Sequence, residues 1–358
     1  MNLVETLAVE IGPRRCGTEA AARAADAVAD AFRALGLAVS FEEFPLLRFD
    51  AEEPELWVDG ERWQVAPCMY AHPGECEGEL RQLSDGRWAV GEGRLQRSLF
   101  GRGPIPFFGG SAAGGYVAMP PTAFLSRADE KRLRDGRYEG RHARLVVRGA
   151  FVPGARDRNV VAELPGESDE VVVVGAHYDS VWRGNGAIDN ATGVEGLRRV
   201  AERLAGRSHS RTLRFVAFAA EEIGLIGSRR HVAGLAERGE VGKVAGMVNL
   251  DCIGYGEKLE LLAAPQELLG RAEEAARELG LADRYEIVTE LGEEAGTDHL
   301  PFVQAGVPAV SILHFPYDEY HLPDESPDLV DERLLADAVD LAVTLVESQL
   351  ARPVARAR

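Results

Sequence analysis

Hydrophobic residues follow two alternating patterns over the second half of the chain. Short runs of valine, leucine, phenylalanine and alanine are typical of strands that are buried on both faces of a sheet. Between these runs, apolar residues recur at the spacing of an amphipathic helix. This alternation predicts an α/β fold, in which a mostly parallel or mixed sheet carries helices on both faces. The predicted strands are 159–164, 171–175, 212–219, 244–250, 258–262, 285–288 and 309–313, and the predicted helices are 192–204, 228–238, 266–279 and 331–350.

The N-terminal region begins with one clear helix and one clear strand. Residues 18–36 carry apolar side chains at helical spacing, with Thr18 as the N-cap and Gly36 as the C-terminal stop. Residues 37–44 then alternate between apolar and polar side chains, which predicts a strand. These two elements are expected to belong to the same α/β unit as the second half of the chain.

Residues 46–150 have a different character. Helical spacing becomes weak there, and glycine, proline and aromatic residues become frequent. A loop of this length without secondary structure would be unusual in a compact protein. We therefore predict a smaller β-rich domain at 46–150, closed by a strand at 144–148 and inserted into a catalytic domain of residues 1–45 and 151–358. Its Gly/Pro-rich segment 101–115 is suited to a mobile lid over the functional site.

Composition limits the classes of partner. The chain has 358 residues, of which 46% are hydrophobic, so it is expected to be globular. Its formal net charge of −18 argues against a nucleic-acid backbone or an anionic membrane as partner. The first residues lack both a basic region and a long apolar run, so we expect a cytoplasmic protein unless a leader was removed. There are four cysteines and no CxxC motif, and we expect all four to be reduced, although Cys68 and Cys76 could pair in an oxidising compartment.

Polar residues with metal-binding chemistry follow the predicted strands. In an open α/β sheet, functional sites form at the carboxyl ends of the strands, so these residues are expected to converge. A capped loop is the alternative for the first of these segments, but five segments carry such residues. They are His177 and Asp179 after strand 171–175, Asp189 in the following Gly-rich loop, Glu221 and Glu222 after 212–219, Asp251 after 244–250, and Tyr320 and His321 after 309–313.

Several carboxylates buried together would be very costly without cations. Two histidines and three carboxylates, without cysteine, suit two zinc ions, and manganese or cobalt would also be accepted. The adjacent residues Glu221 and Glu222 cannot both point at one metal from a regular strand, because their side chains diverge. We expect one to be a ligand and the other to serve as general base for a metal-bound water.

Six sequence strings resemble the two-zinc aminopeptidases of clan MH, whose relatives include glutamate carboxypeptidase, the transferrin receptor ectodomain and glutaminyl cyclase. The strings cover about residues 158–325 in the order of the family. They are GAHYDS, GAIDNATG, AAEEIGLIGS, NLDCIG, GTDHLPF and YHLPDES. The segment at 46–150 resembles a shortened protease-associated domain.

The resemblance implies a role for each residue of the site. It implies that His177 and Asp251 bind one zinc ion, that Glu222 and His321 bind the other, and that Asp189 bridges them. It implies Glu221 as general base, Asp179 as the residue that orients His177, and Tyr320 as a donor to the oxyanion. Asp298 and His299, in the string GTDHLPF, are expected beside the metals or the substrate rather than as ligands, with an N-cap as the alternative for Asp298.

Four functions remain open from the sequence. The first is an aminopeptidase, which removes N-terminal residues from peptides by means of a metal-bound hydroxide. The others are a related carboxypeptidase or dipeptidase, a glutaminyl cyclase, and a non-catalytic homologue that has lost its metals. The complete set of ligand-type residues favours an enzyme, and the family resemblance favours the aminopeptidase.

Overall fold

The computed structural model describes residues 2–108, 119–293 and 296–351, so part of the predicted lid segment 101–115 lies outside the described residues. The strands are β1 Ala38–Ala51, β2 Glu55–Val58, β3 Glu61–Trp63, β4 Val65–Met69, β5 Gly74–Gln82, β6 Trp88–Val90, β7 Gly93–Arg97, β8 Phe107–Phe108, β9 Thr122–Leu125, β10 His142–Val147, β11 Gly149–Leu164, β12 Ser168–His177, β13 Arg211–Phe218, β14 Val244–Leu250, β15 Lys258–Ala264, β16 Ile287–Leu291 and β17 Ala309–Phe315. The helices are α1 Leu3–Glu5, α2 Glu19–Ala34, α3 Arg127–Arg134, α4 Gly193–Leu204, α5 Ile226–Glu237, α6 Gln266–Glu278, α7 Leu300–Gln304 and α8 Glu332–Ala351.

The main sheet has the strand order β1-β11-β13-β12-β14-β17-β15-β16. Strands β13, β12, β14 and β17 run parallel at its centre, and β15 runs antiparallel to β17. Side chains on β12 alternate between two apolar clusters, because Val172 and Val174 face α2, α4, α6 and α8 whereas Val171 and Val173 face α5 and α7. The predicted mixed sheet with helices on both faces is therefore confirmed.

Strand β1 is longer than the sequence pattern predicts. Instead of ending at Phe44, it continues to Ala51 as an antiparallel ribbon with β11. Pro45 is tolerated within it because β1 is the edge strand of the sheet, where a missing backbone N–H need not leave a partner unpaired. Thr18 caps α2 as predicted, since its hydroxyl accepts a hydrogen bond from the backbone N–H of Ala21.

A second sheet lies between β1 and β11 in the sequence. It contains the short strands β2 to β10 and packs over its own apolar cluster, which includes Leu56, Trp88 and Leu145. This cluster is separate from the apolar clusters of the main sheet. The division into residues 46–150 and a catalytic domain of 1–45 and 151–358 remains our proposal. The ribbon of β1 and β11 extends six residues beyond that proposed boundary, to the pair Ala51 and Gly149.

All four cysteines are unpaired, and Cys252 is buried. Among the described residues, no helix is both long enough and apolar enough to cross a membrane. Strand β16 begins two residues later than the pattern at 285–288 predicts.

Candidate metal centre

The predicted site residues meet at the carboxyl ends of the central parallel strands. His177 is the last residue of β12, Asp251 directly follows β14, and Glu221 and Glu222 follow β13 after two alanines. His321 comes from the loop after β17. Parallel strands deliver their ends to one edge, and this is why residues distant in sequence come together.

Asp189 lies at the centre of this group and faces both histidines. Its Oδ1 is 3.0 Å from Nε2 of His177, and its Oδ2 is 3.1 Å from Nε2 of His321. The side chain is buried, and its backbone N–H donates to Glu325 at 2.8 Å. Each oxygen of this carboxylate thus lies close to a different imidazole. This is the geometry expected of a residue that bridges two metal ions.

Within the described part of the chain, three groups of side chains bring their possible ligand atoms within 4.8 Å of one another. Two of these groups share Asp189, and each contains a different histidine. The groups are His177 with Asp189 and Asp251, Asp189 with Glu222 and His321, and His177 with Glu221 and Glu222. The first two groups contain the ligand sets that the family resemblance implies for the two ions.

Two buried oxygen atoms fit a pair of cations better than they fit hydrogen bonds. Oδ1 of Asp189 and Oε1 of Glu222 have no hydrogen-bond partner among the described residues. The 3.0 Å approach of His177 to Asp189 is therefore not aligned as a hydrogen bond, although both atoms can point at a common ion. Buried carboxylates without partners are costly, and a metal ion would satisfy them. The donor set of imidazole and carboxylate is suited to zinc.

The charges of the site shift the pKa values of its members. Burial lowers the pKa of His177, but the negative charges of Glu221 and Asp251 outweigh it and raise this pKa well above its usual range. Burial also raises the pKa of Asp189, yet the two histidines outweigh it and lower the pKa. Burial, together with neighbouring carboxylates, raises the pKa of Glu221 well above its usual value. These shifts describe a strongly negative site that stabilises positive charge.

The two adjacent glutamates face different surroundings. Oε2 of Glu222 lies 3.4 Å from Nε2 of His321, within one of the groups that share Asp189. Glu221 lies 4.0 Å from Nε2 of His177 and belongs to neither of those groups. It lines a cavity of about 170 Å³ that opens at the site. Both glutamates also belong to the third group, so their carboxylates lie within 4.8 Å of each other although their contacts with the histidines differ.

Asp179 and Tyr320 both lie beside the ligand-type residues. Oδ1 of Asp179 is 3.6 Å from Nδ1 of His177, which exceeds a hydrogen-bond distance, and it accepts the backbone N–H of Glu221 at 3.0 Å. The ring of Tyr320 stacks on His321 with 3.9 Å between centroids. Burial and the charge of Asp189 raise the pKa of Tyr320 well above its usual value, so its hydroxyl stays protonated and able to donate.

Asp298 and His299 are buried close to the site. Burial, with repulsion from Asp251, raises the pKa of Asp298 to about 7. Burial lowers the pKa of His299 to about 4, and its ring nitrogens contact the Thr297 hydroxyl at 2.6 Å and the Gly292 carbonyl at 2.9 Å. His299 therefore holds a loop at the cavity wall as a neutral imidazole.

Three supporting residues were missed by sequence reasoning. Arg14 is fully buried and donates to the carbonyls of Asn185 and Gly186 at 2.5 and 2.7 Å, below the loop that carries Asp189. Glu325 accepts the backbone N–H of Asp189. The carbonyl of Pro106 accepts a hydrogen bond from Nδ1 of His321 at 2.9 Å. Glu325 lies in the string YHLPDES and could have been noticed there, whereas Arg14 and Pro106 carry no signal in the sequence.

The fold and this arrangement define a metal-centred enzyme of the α/β class, with ligand-type residues at the carboxyl ends of parallel strands. Comparison with known proteins names its family. Residues 159–346, just over half of the chain, match the family described as peptidase family M28. The chain belongs to peptidase family M28. The resemblance found in the sequence strings is thereby confirmed.

Individual relatives agree with this family. Aminopeptidase YwaD of Bacillus subtilis is 25% identical to the chain, and the match covers 96% of this chain and 83% of that one. The structure of BSAP, a zinc aminopeptidase from Bacillus subtilis, has a TM-score of 0.74 with 22% identity and covers 97% of this chain and 93% of its own. A glutaminyl cyclase from an Acidobacteriales bacterium has a TM-score of 0.58 with 17% identity, covering 98% and 93%. At these identities the solved structures establish the fold.

Proposed function

We propose that the chain is a metal-dependent aminopeptidase that removes N-terminal residues from peptides with the help of two zinc ions. The observation that carries this proposal is the position of Asp189, whose two oxygens lie 3.0 and 3.1 Å from the two histidines. Membership of a peptidase family supports hydrolysis of a peptide bond. The names of the relatives, aminopeptidase YwaD and a zinc aminopeptidase, support the N-terminal specificity and the metal.

His177 and Asp251 would hold one zinc ion, Glu222 and His321 the other, and Asp189 would contact both. Zinc supplies Lewis acidity, which acidifies the attacking water and polarises the scissile carbonyl. This division follows the two groups that share Asp189.

The chain's own side chains would perform the proton transfers. Glu221 lines the cavity outside the groups that share Asp189, so it is free to accept the proton of the attacking water. The same carboxyl then gives this proton to the leaving amine. Tyr320 keeps its hydroxyl proton and would donate a hydrogen bond to the developing oxyanion. Asp179 would fix the backbone of Glu221 through the 3.0 Å hydrogen bond and support His177 from behind.

The shape and charge of the cavity favour an aminopeptidase over a carboxypeptidase. The cavity of about 170 Å³ has room for about one amino-acid residue. Its described lining contains no arginine or lysine that could pair with a terminal carboxylate, so it suits a positively charged amino terminus better than a negatively charged carboxyl terminus. A substrate held there would present its first peptide bond to the metal-binding residues.

A substrate panel tests this function. Zinc-loaded protein should hydrolyse aminoacyl arylamides with a free amino group, and N-acetylated versions of the same compounds should be inert. Chelation should abolish the activity, and added zinc should restore it. Cleavage of N-blocked peptides from their carboxyl end, or cyclisation of N-terminal glutamine without hydrolysis, would replace the aminopeptidase with the corresponding alternative.

A further inference from the structure

One carboxylate on the cavity wall has no role in the proposed chemistry. Glu260 lies in the middle of β15, between Leu259 and Leu261, which are buried in the apolar core under α6 and α8. Successive side chains of a strand point to opposite faces, so Glu260 points away from that core. It lines the same cavity as His177 and Glu221.

The strand register fixes how far Glu260 lies from the centre. Glu260 pairs with Leu313 on β17, and Asp251 directly follows Leu250, which pairs with Ile312 on the other side of β17. Asp251 and Glu260 are thus two strand spacings apart at nearly the same level, which is roughly 10 Å. This distance is too long for contact with the α-ammonium group of a substrate whose first carbonyl lies at the centre. It matches an extended lysine side chain, which adds about 6 Å beyond the α-carbon.

The wall between the centre and Glu260 is apolar. Leu313, Phe315 and Phe100 line it. An apolar stretch followed by a carboxylate is complementary to a side chain with a methylene stem and a cationic end.

Glu260 is not paired with a cationic side chain in the described part of the chain. Within residues 2–108, 119–293 and 296–351, Glu260 forms no ion pair, and the neighbouring Lys258 pairs instead with Glu286 at 2.9 Å. Burial and repulsion by Glu290 outweigh the attraction of Lys258 and raise the pKa of Glu260. The ionised form of such a half-buried carboxylate is disfavoured, and a cation that approaches it stabilises this form.

We propose that Glu260 forms the end of the side-chain subsite and selects peptides whose N-terminal residue is lysine or arginine. The proposal rests on the aminopeptidase function above and names the substrate class of that site. Glu260 acts on specificity, because it lies too far from the scissile bond to take part in proton transfer.

The test compares lysyl and norleucyl arylamides, which share a four-carbon side chain and differ in the terminal ammonium. Zinc-loaded wild-type protein should show a higher kcat/KM for the lysyl compound. Glu260→Gln should lower that kcat/KM by roughly ten- to a hundred-fold, the usual effect of losing a hydrogen bond between charged groups. Turnover of the norleucyl compound should change by less than about threefold, which also shows that the variant is folded. Glu290→Gln, which removes an exposed charge from the adjacent strand β16, is the matched control and should change the ratio of the two substrates far less than Glu260→Gln does.

Four results would overturn the proposal. Equal kcat/KM values for the two compounds in the wild type would remove the subsite and leave the aminopeptidase function intact, and so would equal losses for both compounds in Glu260→Gln. An equal shift of the substrate ratio in Glu290→Gln would replace the contact with a general effect of charge. If the zinc-loaded wild type hydrolyses no arylamide at all, the proposed function and the subsite fail together.

Discussion

The carbonyl of Pro106 accepts a hydrogen bond of 2.9 Å from Nδ1 of His321, across 215 residues of sequence. This contact fixes which nitrogen of His321 carries the proton and leaves Nε2 to face Asp189. The segment before Pro106 is held against the same loop, since the backbone N–H of Arg102 donates to the carbonyl of Asp318 at 3.0 Å. The sheet of β2 to β10 thus reaches the candidate metal centre through its connecting segment.

Gly101 provides a way to disturb this contact. It has a φ of +73°, and a Cβ there would lie 3.2 Å from the carbonyl oxygen of Tyr320. Gly101→Ala should therefore displace the loop of His321 and lower kcat/KM about tenfold or more, since small misplacements of catalytic groups are costly. Gly86→Ala is the matched control, because Gly86 has a φ of +82° with nothing within 4 Å of the added atom. Its activity should be normal, with only the stability cost of the strained backbone.

Asp189→Asn should remove more than one equivalent of metal. The native carboxylate faces both histidines, so loss of its charge affects both ions, whereas His177→Ala should weaken mainly one. Elemental analysis of each variant after dialysis against a fixed zinc concentration gives the answer. Loss of a single ion from both variants would rule out the bridge.

Glu221→Gln and Glu222→Gln should impair the enzyme in different ways. The first keeps its shape and loses its basicity, so it should bind metal nearly normally while kcat falls by roughly 10²–10⁴. The second should lose metal, and excess zinc should partly restore its activity. Metal content and kcat measured on both variants decide the assignment, and reversed phenotypes would exchange the two roles.

Arg14 is expected to be important for stability rather than for chemistry. Burial lowers its pKa to about 10, so it remains charged at neutral pH while it donates to the carbonyls below the Asp189 loop. Arg14→Met should lower the free energy of unfolding by about 3–5 kcal/mol, because buried carbonyls lose a charged donor. Urea unfolding measures this, with Arg33→Met as control. Arg33 forms an exposed pair with Asp30, and its loss should cost less than about 1 kcal/mol.

Glu195 should make folding sensitive to acid. Burial raises its pKa, but hydrogen bonds from Arg198 and Arg199 outweigh burial and lower the pKa below that of an ordinary glutamate. A carboxyl whose pKa is lower in the folded state stabilises the protein above its unfolded pKa, and this contribution is lost as the pH falls through the folded pKa. Glu195→Gln should therefore be less stable than wild type at pH 7, and the difference should shrink at about pH 3. A difference that does not change with pH would contradict the ion pair.

The main elements of the fold could be predicted from the sequence, because the local hydrophobic patterns agree with the tertiary structure. The four valines of β12 predicted a strand buried on both faces, and they divide between two apolar clusters. The extension of β1 to Ala51 could not be predicted from the sequence, because it depends on pairing with β11, which lies about a hundred residues later in the chain. Pro45 is accommodated only because β1 is an edge strand.

The grouping of the site residues could also be predicted from the sequence. Each of them lies at the end of a predicted strand or in the loop that follows one. Parallel strands carry such residues to one edge, so His177 and Asp251 approach to 3.5 Å. The assignments of ligand, base and oxyanion donor remain predictions for the experiments above. Asp179 differs in detail from its expected position, since it is closer to the backbone N–H of Glu221 than to His177.

By itself, the sequence determined the α/β class, the order of its elements and the residue types gathered at the strand ends, because hydrophobic periodicity and strand direction are local properties. Only the tertiary structure decided what surrounds those residues. Arg14 beneath the Asp189 loop, the carbonyl of Pro106 on His321 and the carboxylate of Glu260 at the end of the cavity all depend on chain segments that meet only after folding. Contacts of this kind arise from packing between distant segments, and packing leaves no periodic signal along the chain.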